Sequence, residues 1–277
     1  MSPPVSLDGR AIVAFSPDSQ WLATSSNEKG IILWEMEGLA PGERPTPRPL
    51  SSNEAVSAIA FSPDGKIMAT ASENNSLHLW NLDKVDEGGA SQALEGHQGT
   101  VSSVAFGPNG KTLASAGSDT TIQLWEVERG ELLSAKPIRL LPGHDKSITA
   151  LAISPDGEML ASASDDKTVR LWSIDAGNEQ LIGLLSGHRG RVSDICFSPD
   201  GKSLFSASDD RTLCLWSIDR KRDLRIVEGH EDAVTSIAIN KNLMASASKD
   251  GSVRVWNLET NEELWFSKPE NAFLDVA

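Results

Sequence analysis

The chain has no tyrosine and only two cysteines among its 277 residues. Cys196 and Cys214 both lie inside apolar strand patterns. That argues against a disulfide framework and reads them as small core residues of a reducing interior. No run approaches the roughly 18 apolar residues of a membrane span. Met1-Ser-Pro-Pro-Val-Ser-Leu-Asp8 lacks the basic start and apolar run of a secretion signal. A cytoplasmic location without membrane contact is expected. Basic residues are outnumbered, 25 against 39 acidic, for a net charge of −14. Such a surface repels phosphate backbones, disfavouring nucleic acid as a partner and favouring basic ones. The one basic run, Arg220-Lys221-Arg222, reads as a solvated loop. Cys-x-x-Cys, His-Glu-x-x-His and phosphate-loop patterns are missing, and the Asp-Gly turns are too short for a calcium loop. No metal or cofactor is expected.

What the chain does have is repetition. Trp34, Trp80, Trp125, Trp172, Trp216 and Trp256 follow one another at steps of 46, 45, 47, 44 and 40 residues. A period of about 40–50 marks a repeat architecture. The third repeat shows the unit. Gly96-His97 opens it, residues 100–106 alternate like a half-buried strand, and Gly107-Pro-Asn-Gly110 makes a tight turn. Residues 111–116 give a second strand, 121–127 a third and 132–141 a fourth. The turn returns as Ser62-Pro-Asp-Gly65, Ser154-Pro-Asp-Gly157 and Ser198-Pro-Asp-Gly201, with a weaker Ser16-Pro-Asp-Ser19 and a shortened Asn240-Lys-Asn242. Four antiparallel strands cannot bury both faces alone, so consecutive units must stack. The expectation is an all-β fold of four-stranded antiparallel blades, forming a single domain over residues 1–277.

These residues resemble the WD-repeat β-propeller family across nearly the whole chain. The family pattern is a Gly-His pair, a strand-turn-strand, and an Asp six residues before a Trp. It appears as Gly96-His97, Asp119, Trp125; Gly143-His144, Asp166, Trp172; Gly187-His188, Asp210, Trp216; and Gly229-His230, Asp250, Trp256. The first two units depart from it: Ser6 and Ser52 stand at the histidine position, and Glu28 and Asn74 at the aspartate. Those blades are expected to lack the buried polar network and to be less rigid. Residues 272–277 align with 55–60, the opening of an inner strand. The sequence therefore reads as six repeats and the stub of a seventh, a segment of a longer array or an unusually completed ring.

Each full repeat holds a His, a Ser and an Asp: His97/Ser115/Asp119, His144/Ser162/Asp166, His188/Ser206/Asp210 and His230/Ser246/Asp250. A serine hydrolase needs such a set once. Four copies at one spacing, each ending at a Trp, read as framework. The resemblance implies a buried hydrogen-bond network of these side chains with Trp125, Trp172, Trp216 and Trp256. No catalytic residue is assigned.

The family commonly binds partners at the loops before the first strand and between the second and third. The matching positions are Thr100, Ser102 and Ser118; Ser147, Thr149 and Asp165; Arg191, Ser193 and Asp209; Ala233, Thr235 and Lys249; Ala55, Ser57 and Glu73; and Gly9, Ala11 and Asn27. Arg191 between Asp165 and Asp209 is the expected polar centre. A second candidate is the proline-rich insertion at 40–49, a polyproline II segment or a stiff connector. The expected function is a non-catalytic scaffold or sensor module that docks a protein or peptide on its loop face. The central repeats resemble amplified arrays of large bacterial signalling or effector proteins. The competing classes are an enzyme or small-ligand binder using a central channel, for which Arg191 with Asp165 and Asp209 is the nearest non-repeating cluster, and a purely architectural array.

Overall fold

The computed structural model describes residues 12–26, 30–40, 42–50, 55–87, 91–129, 133–175, 177, 180–218, 224–260 and 262–267. The stub at 272–277, the basic run at 220–222, and Ser6, Gly9, Ala11, Asn27, Glu28 and Ser52 lie outside them. The described residues form six four-stranded antiparallel sheets, each with its strands in chain order. Blade 1 holds β1 (Ile12–Phe15), β2 (Trp21–Ser26), β3 (Gly30–Glu35) and β4 (Thr46–Pro49). Blade 2 holds β5 (Val56–Phe61), β6 (Ile67–Ser72), β7 (Leu77–Asn81) and β8 (Ser91–Leu94), with a short 3₁₀ segment at Leu82–Glu87. Blade 3 runs β9 (Val101–Phe106), β10 (Thr112–Gly117), β11 (Thr121–Arg129) and β12 (Leu133–Pro142). In blade 4 the strands are β13 (Ile148–Ile153), β14 (Met159–Ser164), β15 (Thr168–Ser173) and β16 (Gln180–Ser186). Blade 5 comprises β17 (Val192–Phe197), β18 (Ser203–Ser208), β19 (Leu213–Ser217) and β20 (Leu224–Val227). Blade 6 ends the series with β21 (Val234–Asn240), β22 (Leu243–Ser248), β23 (Val253–Asn257) and β24 (Glu263–Ser267). The chain divides into two compact units at residues 140/141, so blades 1–3 and 4–6 fall in separate units.

The repeating phrase dictates how blades stack. Period-2 alternation sends Ala161, Ala163, Val169 and Leu171 of blade 4 to one face, all of them solvent-inaccessible. They meet Ile195, Phe197, Leu204 and Trp216 from the opposite face of blade 5. Alanines in the second strand let the next sheet approach closely enough for the tryptophan to fill the space. The same arrangement joins blade 5 to 6, blade 1 to 2 and blade 2 to 3. Each fully buried Leu, Val or Phe contributes roughly 1.5–3 kcal/mol of transfer free energy, so the stack is the dominant source of stability.

The Ser-Pro-Asp-Gly turns close the first hairpin by a side-chain clamp. Ser62 donates to Asp64 Oδ1 at 2.6 Å, accepts the Ile67 N–H at 2.9 Å, and Gly65 takes φ +70°. An added Cβ at Gly65 would lie 2.3 Å from the Asp18 carboxylate of the preceding blade's turn. That turn position therefore favours glycine for its conformation, while the exposed Asp18 side chain is free to swing aside.

Of the two readings of the proline-rich insertion, a polyproline II segment or a stiff connector, its described second half takes neither form in isolation but pairs as a strand. Its second half is β4, with Pro47 opposite Trp34 and Pro49 opposite Ile32. Proline is tolerated there because an outer edge strand leaves one side of its backbone unpaired. Pro41 lies outside the described residues.

Candidate functional site

In the four full repeats the polar side chains form one continuous relay. The Trp172 indole N–H donates to Ser162 Oγ at 2.9 Å, and Ser162 Oγ lies 2.8 Å from His144 Nε2. His144 Nδ1 lies 2.7 Å from Asp166 Oδ2. With the indole and imidazole N–H groups donating, the serine hydroxyl proton goes to Nε2, and every group is satisfied by a neutral histidine. Blade 3 repeats the relay through Trp125, Ser115, His97 and Asp119, with separations of 2.8–2.9 Å. Blade 5 does so through Trp216, Ser206, His188 and Asp210, and blade 6 through Trp256, Ser246, His230 and Asp250.

Burial pushes His144, His188 and His230 below their usual range, and the adjoining carboxylates only partly offset it. For the carboxyls, burial acts upward but is outweighed by the hydrogen bonds they accept. Asp166 is held at about 2 by Thr168, His144 and the Asp145 N–H, and Asp210 at about 2 by Thr212, the Arg189 N–H and His188. Asp119 and Asp250 are lowered in the same way. The four serines have no exposed surface. A nucleophile must reach a substrate carbonyl, and these oxygens sit beneath an indole. The arrangement binds strands together.

Two members of the network escape a reading of the family pattern. Thr121, Thr168 and Thr212 donate hydroxyls to Oδ1 of Asp119, Asp166 and Asp210. Their signal in the sequence is a Thr two residues after each aspartate. The second concerns blades 1 and 2, expected to lack the network. They keep its lower half: Trp34 donates to Thr24 Oγ1 at 2.8 Å and Trp80 to Thr70 Oγ1 at 2.9 Å. A buried indole N–H still needs an acceptor without the histidine, and threonine supplies it.

At one end of blades 2 to 6, the turn between the second and third strands is tied by backbone to the segment entering the first. The pairs are Glu73 N–H to Ala55 O, Ser118 to Thr100, Asp165 to Ser147, Asp209 to Arg191 and Lys249 to Ala233, at 2.9–3.0 Å. These bonds place the expected partner-contact residues side by side in each of these five blades. Glu73, Asp209, Lys249 and Arg191 are exposed and Asp165 is half-buried. Arg191 Nε meets Asp165 Oδ1 at 2.9 Å. Its link to Asp209 is the backbone bond alone, so the arginine pairs with the preceding blade's carboxylate rather than bridging two.

Ser102, Thr149, Ser193 and Thr235 have a different place. Each is the extra residue at a register shift in its inner strand, a β-bulge. The bulge turns the hydroxyl onto backbone: Thr149 donates to Val192 O at 2.6 Å and Ser193 to Val234 O at 2.5 Å, both in the next blade. Ser57 does the same to Val101 O. Ser102 and Thr235 donate within their own blades, to Ala116 O and Ala247 O. These hydroxyls are engaged in holding strands, because the bulge aims them at carbonyls rather than solvent.

Cys196 and Cys214 are free thiols. Burial pushes both thiols up, Cys214 to about 12. Among the described residues no group of three His, Cys, Asp or Glu is placed to hold a metal ion, and no helix is long and apolar enough to cross a membrane. A cavity of about 330 Å³ in the second unit is lined by Pro199, Phe205, Leu215, Lys241, Leu258 and Glu259 among others.

The six described sheets, the indole–hydroxyl–imidazole–carboxylate relays and the paired loop ends define a repeat protein built to present loops. The family described as "WD domain, G-beta repeat" matches residues 10–35, 48–81, 89–126, 135–173, 179–217 and 221–257. The chain belongs to this WD-repeat family, whose repeats generally mediate protein–protein interaction. It is 38% identical over 39 residues to "Probable E3 ubiquitin ligase complex SCF subunit scon-2" of Neurospora crassa. That stretch is 14% of this chain and 6% of the relative.

Proposed function

We propose that this chain is a non-catalytic interaction module of the cytoplasm that docks a protein or peptide partner on its blade-end loops. The contact residues are Arg191, Asp165, Asp209 and Lys249 in the second unit, with Glu73 at the equivalent place in blade 2. Thr149, Ser193, Thr235 and Ser102 shape the strands behind these loops. The observation that carries the reading is the exposed Arg191–Asp165 pair at 2.9 Å, half-accessible on both sides. It breaks the repeat on a surface that backbone ties bring to a common position in each full blade. A partner replaces one exposed ion pair, worth little in water, with desolvated contacts to both charges. The net charge of −14 favours a partner with basic surface and disfavours nucleic acid. Support for the non-catalytic character comes from the relays, whose hydroxyls and imidazoles are enclosed. The likeness to a protein named as a subunit of a ubiquitin ligase complex, short as it is, is in keeping with a role in assemblies.

The test is quantitative capture from native lysate by the wild type and by an Arg191→Glu, Lys249→Glu variant with matched melting. Loss of a specific partner by tenfold or more in the variant is the expected result. An unchanged partner set overturns the assignment of the site.

A further inference from the structure

Two departures from the repeat meet inside the second unit. In each second strand, the residue after the tryptophan's cross-strand partner is an alanine at positions 23, 69, 114, 161 and 245, but Phe205 in blade 5. The other departure is the first hairpin of blade 6. In blade 5, Phe197 pairs with Leu204 and residues 198–203 lie between them; in blade 6, Ile239 pairs with Met244 and only 240–243 lie between. A full-length turn seats its glycine on the preceding blade's turn: a Cβ at Gly110 or Gly201 would stand 3.6 Å from Pro63 or Pro155. The shorter Asn240-Lys241-Asn242 turn lacks that glycine, and here the cavity of about 330 Å³ lies against Pro199. Phe205, Leu215 and Leu258 give it an apolar wall. Leu215 is half-buried there, whereas Leu33, Leu79, Leu124 and Leu171 at the same repeat position are 2% exposed or less.

The mouth is charged. Asp200 and Glu259 are exposed and line it, against Lys241 as the one cation among the lining residues. Asp200 Oδ1 accepts the Ser198 hydroxyl at 2.5 Å and the Lys202 N–H at 3.1 Å, and Glu259 Oε1 accepts from Asn242 Nδ2 at 2.6 Å. Blade 2 shows what a turn aspartate at this place takes: Asp64 holds both prongs of Arg129, from the end of the third strand of blade 3. In blade 6 the residue at the place of Arg129, counted from the tryptophan, is Thr260. Among the described residues Asp200 makes no ion pair, and its chain neighbour Lys202 acts on it only through space.

We propose that this cavity is a second docking site, for an extended peptide segment of a separate partner that carries an arginine beside a large apolar side chain. The apolar side chain rests on Phe205, Leu215 and Leu258, and the arginine forks onto Asp200 as Arg129 does onto Asp64. About 330 Å³ is at the small end of ligand sites and suits one or two side chains. The net charge of −14 draws a cationic segment toward it. The site lies at the hairpin end of blades 5 and 6, the opposite strand ends from the loop of Arg191, so it fills independently of the loop face.

The test uses a set of short synthetic peptides in which one Phe or Leu and one Arg stand at every spacing. Matched copies carry Ala for the apolar residue or citrulline for the arginine. Binding of the tightest peptide to the full chain is read by fluorescence anisotropy. Its alanine copy is expected to bind at least about tenfold more weakly, as one apolar side chain left in water implies. The citrulline copy is expected to lose about fivefold, the size of an exposed ion pair. In the protein, Ser203→Phe fills the cavity and is expected to weaken binding by about tenfold or more. Asp200→Asn keeps the turn's acceptor, as Asn109 does in blade 3, and is expected to bind the arginine and citrulline peptides equally. The Arg191→Glu, Lys249→Glu variant is expected to bind the peptide as the wild type does, which separates failure of this site from failure of the loop-face reading. Should Ser203→Phe melt early, hydrogen exchange of the wild type with the peptide bound reads the same place, with slowing expected at 198–205 and 240–244. No peptide that outbinds its alanine copy, binding that survives Ser203→Phe, or protection confined to other segments overturns the proposal. A citrulline copy that binds the wild type as well as its arginine parent overturns the pairing on Asp200.

Discussion

Replacing Ser162 by alanine removes one oxygen and leaves two buried nitrogens without their partner. The Trp172 indole N–H, 2.9 Å away, loses its acceptor, and His144 Nε2, 2.8 Å away, loses its donor. No water reaches the position from outside, since Ser162 has no exposed surface. An unsatisfied buried polar group costs about 1–3 kcal/mol. The two losses share one site and relax together, so the sum is about 2–4 kcal/mol rather than the full total. For a chain of this size each kcal/mol moves the melting temperature by about 2–4 °C, which puts the expected drop at roughly 5–15 °C. Calorimetry beside Ser186→Ala, an exposed serine, isolates the effect, because the control is expected to shift by less than about 2 °C. Ser162→Thr keeps the hydroxyl, as Thr24 and Thr70 do under Trp34 and Trp80, and is expected to recover more than half of the loss. A Ser162→Ala variant melting with the Ser186→Ala control would refute the reasoning that the relay holds the blade together.

Acid should destabilise the protein in two stages. His144, His188 and His230 sit below 6.5 when folded, so the unfolded chain binds their protons first. That part of the stability is present above about pH 7 and declines as pH falls below the unfolded value. Asp166 and Asp210, lowered from 3.8 to about 2, add a second decline over that interval. Allowing for screening, it is worth about 1–2 kcal/mol each; urea midpoints at three pH values from neutral to acid check both stages, and a flat profile contradicts them. Neither cysteine should react with a thiol reagent at mildly alkaline pH until the chain unfolds, Cys214 being pushed up to about 12. Rapid labelling of the native protein would contradict this. Arg129→Ala breaks a two-pronged ion pair to Asp64, at 2.5 and 3.0 Å on exposed surface, and is expected to cost no more than about 1 kcal/mol by urea titration. Thr149→Val removes the bond to Val192 O for about 1 kcal/mol, with partner capture unchanged.

The sequence makes the blades plain because their determinants are local. Tryptophans at a constant step, Pro-Asp-Gly turns and alternating apolar strands all act within a few residues of themselves. The pairing within the relays is implied by the resemblance to the WD-repeat family, which the four Gly-His, Asp and Trp sets carry. What escapes is decided by neighbouring strands. Pro47 and Pro49 read as polyproline II until β3 offers them an edge to pair with. The Ser/Thr hydroxyls at 57, 102, 149 and 193 read as surface groups because a bulge leaves no mark in a single strand. Their recurrence as hydroxyl residues at one repeat position was the available clue. Arg191 has acids on both sides in the aligned repeats, and nothing in a single repeat tells that it meets Asp165 of the preceding blade rather than Asp209.

Hydrogen exchange on this chain, free and bound to its captured partner, tests the central claim most directly. Docking on the blade ends predicts slowed exchange in the segments carrying Asp165, Arg191, Asp209 and Lys249, with the hairpin turns at 154–157 and 198–201 unchanged. Protection at those hairpin turns, with the loops around Arg191 exchanging as in the free chain, would contradict it.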